Sequence, residues 1–163
     1  LARVAGLFSS RGYNIESLTV NEDPVDPTVS RIVLVTSGDE QILEQINKQL
    51  NKLVSVIKIS DFNGVDILER ELVMVRIAVD DRTRSELDGI VNAFRAHVVD
   101  IGPRQVTVEV TGDDDKIKAF IALVRPLGIK EVVRSGKVAM ARAIQLNSDH
   151  RGRRESSQEK VQS

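Results

Sequence analysis

Val106-Thr107-Val108-Glu109-Val110-Thr111-Gly112-Asp113 is the stretch on which the reading of the fold turns. Valine alternates with polar partners, the period of a strand covered on one face only. At Thr111-Gly112-Asp113 that period stops and another begins. Ile117, Phe120, Ile121 and Val124 follow at helical spacing. Asp113 stands where a carboxylate caps a helix N-terminus. Pro126 and Gly128 end the helix, and Ile129 to Val133 reads as a strand again.

Upstream of this stretch, Leu72 to Val79 reads as a strand, and Leu87, Ile90, Val91 and Phe94 mark a helix face. Val98, Val99 and Ile101 form a further strand that ends at Gly102-Pro103. The order is β-α-β-β-α-β, that of a ferredoxin-like unit.

The same punctuation occurs earlier. Thr36-Ser37-Gly38-Asp39 stands before a helix just as Val110-Thr111-Gly112-Asp113 does. Ile42, Leu43, Ile46 and Leu50 form that helix's apolar stripe. Before it, Leu1, Val4, Ala5 and Phe8 share one helix face, and Gly12 suits the left-handed cap that follows. Ile15 to Val20 and Ile32 to Val35 read as strands, separated by a loop over residues 21–28. Val54, Val56, Ile57 and Ile59 supply a last strand. The first half is therefore α-β-β-α-β and lacks the opening strand. An uncapped helix at Leu1 fits a chain that begins inside a unit, because the missing strand is an interior one whose neighbours would lose backbone partners, at about 1–3 kcal/mol per buried group. The reading is an α+β chain of two tandem ferredoxin-like units: residues 1–61, a linker at 62–68, a second unit at 69–142, and a polar tail at 143–163. That tail is expected to be disordered, having almost no apolar residues.

Composition excludes several classes. Among 163 residues, 23 Lys and Arg face 24 Asp and Glu, so no basic field exists for nucleic acid or an anionic membrane. Tyr13 and four Phe offer little for base stacking. There is no Cys, which excludes disulfides and thiolate chemistry. Apolar runs are too short for a membrane span, and Arg3 interrupts a start too short for a signal peptide. His97 has no accompanying triad motif. Asp113-Asp114-Asp115 reads as a helix N-terminus rather than a metal site, since consecutive helical positions do not converge on one ion.

One polar segment stands out: Gly12-Tyr13-Asn14-Ile15-Glu16-Ser17-Leu18-Thr19-Val20. A helix ends and a strand begins there. The amide of Asn14 has two donors and an acceptor, which could hold the carboxylate or ammonium of a small amino acid. The residues alone favour the plainer role, in which Asn14 stabilises the turn after Gly12.

Several segments resemble a known family. Ala5-Gly6-Leu7-Phe8, Arg11 to Thr19, Gln49-Leu50 and Lys52-Leu53-Val54 are similar to the small regulatory subunit of acetolactate synthase. So are Glu69-Arg70-Glu71-Leu72, Phe94-Arg95-Ala96, Val99-Asp100, Val110-Thr111-Gly112-Asp113 and Val133-Arg134-Ser135-Gly136. The resemblance runs in order from Leu1 to about Arg142.

It implies that the first unit is an ACT domain lacking its first strand. It also implies a homodimer formed through that domain, a large catalytic subunit as partner, and no catalytic residues here. The small subunit activates the large one and confers feedback inhibition by valine, or in some members leucine or isoleucine. Thiamine diphosphate, FAD and magnesium would belong to the catalytic subunit. Asn14 matches the family's effector-contacting Asn, and Ile15, Thr19 and Val20 match the strand that lines the same pocket. Asn21 departs from the small residue of many relatives. A cytoplasmic location is expected, with plastid stroma as the alternative. Two rival readings are a free-standing ACT-type sensor for another enzyme and a small ferredoxin-like enzyme. Only the first of these has residues to support it.

Overall fold

A computed structural model describes residues 1–143 of the chain. All but the first residue of the expected polar tail at 143–163 lies outside the described residues.

The second unit is built around one long strand. β3 (Ile67–Ala78) is flanked by β5 (Gln105–Gly112) on one side and β6 (Ile129–Arg134) on the other, with β4 (His97–Ile101) outside β5. All pairings are antiparallel. The order β4-β5-β3-β6 is 2-3-1-4 in the unit's own numbering, the ferredoxin-like topology. Helices α3 (Asp81–Ala93) and α4 (Asp114–Gly128) complete the unit. Val73, Val75 and Ile77 of β3 face the same side as Val106, Val108 and Val110 of β5, and all are buried. Leu87 and Val91 of α3 and Ile117, Phe120 and Val124 of α4 pack with them. Phe94 and Phe120 meet edge to face at 5.5 Å.

Local chemistry fixes the helix ends. Asp39 and Asp113 accept the backbone N–H of Ile42 at 2.8 Å and of Lys116 at 2.9 Å, as caps should. The glycine before each cap has a steric reason. A Cβ on Gly38 would stand 2.7 Å from Ile42 Cγ2, and one on Gly112 would stand 2.5 Å from Lys116 Cδ. α4 runs two residues past Pro126 and ends at Gly128. A proline in the last turn forfeits one hydrogen bond without breaking the whole helix.

The first unit holds α1 (Ala2–Arg11), β1 (Ser17–Glu22), β2 (Ser30–Val35) and α2 (Glu40–Asn51). β1 and β2 form a two-stranded antiparallel sheet. Val4, Phe8 and Ile46 are its buried residues, with Ile15, Ile32, Leu34, Leu43 and Leu50 packed against them. Leu1 and Ala5, expected on the inner face of α1, are exposed. The strand expected over Val54, Val56, Ile57 and Ile59 is not formed, and Val54 is 94% and Ile57 81% exposed. A strand exists only against a partner's N–H and C=O groups. β1 and β2 pair with each other, and no strand among the described residues stands beside this segment.

Two further differences concern the second unit's ends. β3 begins at Ile67, inside the stretch 62–68 read as linker. β7 (Val138–Ala141), which the pattern did not suggest, pairs with Ile67–Arg70 of β3.

Candidate functional site

α1 ends in a backbone motif. Gly12 is left-handed, with φ 68°. Its N–H donates to Ser9 O at 3.3 Å, and the N–H of Tyr13 donates to Phe8 O at 3.0 Å, the Schellman pattern. The turn drives Tyr13 edge-on against Phe8, with ring centres 5.7 Å apart, and sends Ile15 into the small core. Asn14 lies between them, exposed. Its backbone carbonyl accepts from Thr36 Oγ1 at 2.6 Å, and the N–H of Glu16 donates to Val35 O at 2.9 Å. The turn is thus held by backbone bonds and Thr36. The side-chain amide of Asn14 makes no hydrogen bond to the described residues, contrary to what a turn-stabilising role requires.

β1 separates the remaining residues of the expected site. Thr19 stands opposite Val33, and Val20 opposite Ile32. Ile32 packs on the helices, so Val20 and Ile15 lie toward the helical side, while Thr19 faces away from it. Val20 is 40% exposed. Neither of two surface hollows, of about 240 Å³ and 480 Å³, touches Asn14, Ile15, Thr19 or Val20.

On the far side, β1 meets the second unit. Ser17 and Thr19, two positions apart and therefore on one face, both bond to Lys137. Thr19 Oγ1 donates to the carbonyl of Lys137 at 3.0 Å, and the N–H of Lys137 donates to Ser17 Oγ at 3.2 Å. The Lys137 ammonium lies 3.2 Å from Asp114 and 3.6 Å from Glu69. Glu69 also accepts the N–H of Asp114 at 3.2 Å. Asp114 pairs with Lys118 as well. The hydrogen bond from Lys118, reinforced by Lys137, holds the Asp114 carboxyl below its ordinary value of 3.8. The Asp113–Asp115 run is therefore occupied as a helix N-terminus: Asp113 caps it, and Asp114 binds two lysines. Beside this cluster, Arg134 donates to Glu71 through Nε at 2.9 Å and through Nη2. The hydrogen bonds to Glu71 raise the guanidinium further. Glu71 is only 5% exposed, so the bidentate partner offsets its desolvation. His97 opens β4, opposite Glu109.

Sequence reasoning did not single out Ser17 or Lys137. Ser17 stood only within the polar segment Gly12 to Val20, and Ser135-Gly136, beside Lys137, was quoted only as part of the resemblance.

These features define a tandem ferredoxin-like protein whose first unit faces its second across a polar seam. Comparison with known proteins makes the class specific. The family model described as AHAS small subunit-like ACT domain matches residues 1–58, and that described as small subunit of acetolactate synthase matches residues 70–143. The probable acetolactate synthase small subunit of Methanothermobacter thermautotrophicus is 49% identical over 143 residues, covering 87% of this chain and 84% of that one. The acetolactate synthase small subunit of Aquifex aeolicus is 43% identical over 150 residues, covering 91% and 78%. The crystal structure of the small subunit from Thermotoga maritima superposes with a TM-score of 0.75 at 37% identity, covering 86% and 88%. The chain belongs to the acetolactate synthase small subunit family.

Proposed function

We propose that this chain is the regulatory subunit that raises the activity of an acetolactate synthase large subunit and makes it sensitive to valine, or to leucine or isoleucine. It works as a homodimer paired through its ACT domain, in the cytoplasm. Thiamine diphosphate, FAD and magnesium belong to the large subunit. Residues 1–61 sense the amino acid, and residues 69–142 form the second unit, beyond a linker at 62–68. Asn14 contacts the charged end of the effector, and Ile15, Thr19 and Val20 of the same segment shape its surroundings.

The observation that carries this reading is the free amide of Asn14. It sits at a turn that other groups already hold, so its hydrogen-bonding capacity is available to a ligand. Sequence kinship over both units supports the assignment to the large subunit rather than to another enzyme.

The test is inhibition of the reconstituted complex by valine, wild type beside Asn14→Ala. Hydrogen bonds to charged groups are worth roughly 1.5–3 kcal/mol, so affinity should fall about tenfold to a hundredfold. Activation of the large subunit and the melting temperature should stay unchanged. An unaltered inhibition curve would remove Asn14 from the site.

A further inference from the structure

We infer that Lys137, in the turn between β6 and β7, is the coupling residue that carries occupancy of the amino-acid site on β1 into the second unit. The inference rests on the functional reading above and adds a path to it.

Four observations converge on this turn. The backbone of Lys137 is gripped at both ends by β1, through Ser17 Oγ and Thr19 Oγ1. Two bonds from one face of one strand to one residue fix both position and direction. Next, the approach is too close for a side chain at the preceding residue. Gly136 has φ 83°, and a Cβ there would stand 2.7 Å from Thr19 Oγ1 and 3.3 Å from Ser17 Oγ. The ammonium of Lys137, whose side chain is 18% exposed, then reaches into the second unit, to Asp114 in the first turn of α4 and to Glu69 on β3. Finally, Ser135 anchors the turn on β3. Its N–H donates to Leu72 O at 3.0 Å, and its Oγ accepts the N–H of Leu72 at 3.1 Å.

The covalent connection offers no comparable path. Residues 52–66 form neither helix nor strand, so a displacement of β1 is not transmitted rigidly along the chain. Through Lys137 the same displacement moves a charge that both the start of α4 and β3 depend on. A change in the position of Ser17 or Thr19 therefore alters the ion pairs of Asp114 and Glu69 directly.

Lys137→Met keeps the aliphatic stem and removes the charge. The small subunit carrying this change would be assayed twice with L-valine: for binding, by calorimetry on the small subunit, and for inhibition, in the complex reconstituted with the large subunit. Binding should stay within about twofold of wild type. The concentration for half-inhibition should rise about tenfold, or the maximal inhibition should fall by about half. Lys137→Arg, which retains the charge, should restore most of the response. Ser17→Ala removes one of the two backbone contacts and should give the same split at smaller amplitude, about threefold; it serves as the second variant if Lys137→Met melts early. Binding and inhibition that shift together, or that both stay at wild-type values, overturn the coupling role while leaving the amino-acid site in place. A wild-type complex that ignores valine, leucine and isoleucine alike overturns the site itself and this inference with it; if it answers to one of the latter two, that amino acid replaces valine in both assays.

Discussion

In the second unit thirteen apolar side chains are buried around a four-strand ladder, whereas in the first only those of Val4, Phe8 and Ile46 are. Both units use the same parts: a Gly-Asp step into a capped helix, an apolar stripe, and strands rich in β-branched residues. The difference lies in the sheet. β3 has a partner on each edge, and the valines of β3 and β5 meet beneath two helices. Among the described residues, β1 and β2 have only each other. Helix formation and capping are local and proceed equally in both units. Core formation depends on strands arriving from far along the chain, and a two-stranded sheet is marginal without further cover. The consequence is visible at Val54 and Ile57, where suitable strand residues lie exposed.

The largest effect should come from the core itself. Phe120→Ala removes a side chain with no solvent exposure and should destabilise the second unit by about 3–5 kcal/mol. Ile46→Ala in the first unit should cost about 2 kcal/mol, at the low end for such a change, because fewer buried neighbours surround it. Urea unfolding followed by probes in each unit would measure both. Equal losses would break the contrast between a full core and a sparse one.

A smaller effect should report on the seam. Asp114 has its carboxyl held below 3.8 by Lys118 and Lys137. Its folded pKa is thus lower than its unfolded one, so the folded state binds fewer protons near that value. The stabilisation is complete above about pH 5 and disappears as pH falls below 3.8 through the folded value. For a pair open to solvent this amounts to about 1 kcal/mol or less. Asp114→Asn should therefore melt below wild type at pH 7, and the two curves should converge in acid. A gap that persists at the lowest pH would mean that Asp114 acts through packing rather than charge.

The smallest effect compares the helix ends. α3 closes with the same backbone pattern as α1: Arg95 N–H donates to Asn92 O and Ala96 N–H to Val91 O. The left-handed position is glycine in the first unit and arginine in the second, with φ 50° at Arg95. A left-handed non-glycine residue costs roughly 1–2 kcal/mol, partly offset by the greater freedom of glycine in the unfolded chain. Arg95→Gly should raise stability by about 0.5–1 kcal/mol, a shift of a few degrees in Tm. No gain on melting would show that Arg95 is held there by contacts that relieve the strain.

The helices were legible because their determinants sit within a few residues of one another. Asp39, Asp113 and Gly12 perform the capping roles that their positions suggest. Strand existence was less legible. Residues 54–59 have the right composition and no partner strand among the described residues, while Val138-Ala139-Met140-Ala141 lack clear alternation and form β7 because β3 extends far enough to receive them. At the candidate site, the turn at Gly12 could be read from the sequence, whereas the residues alone favour an Asn14 amide spent on that turn, which the backbone bonds and Thr36 hold instead. That Thr19 and Val20 point to opposite faces follows from strand period alone. The partner of Thr19 could not be read, since it lies 118 residues away and is a backbone carbonyl with no side-chain signature.

The pairing of β7 with the start of β3 also brings two distant points of the chain together. Arg142 N–H donates to the carbonyl of Asp66 at 3.0 Å, and its guanidinium meets the carboxylate of the same residue at 2.9 Å. Asp66 and Arg142 are therefore adjacent. A module with abutting ends can be joined tail to head by a short loop at little entropic cost, reopened elsewhere on its surface, or inserted into a host loop without stretching either flank. Residues 66–142 have the geometry of a portable cassette.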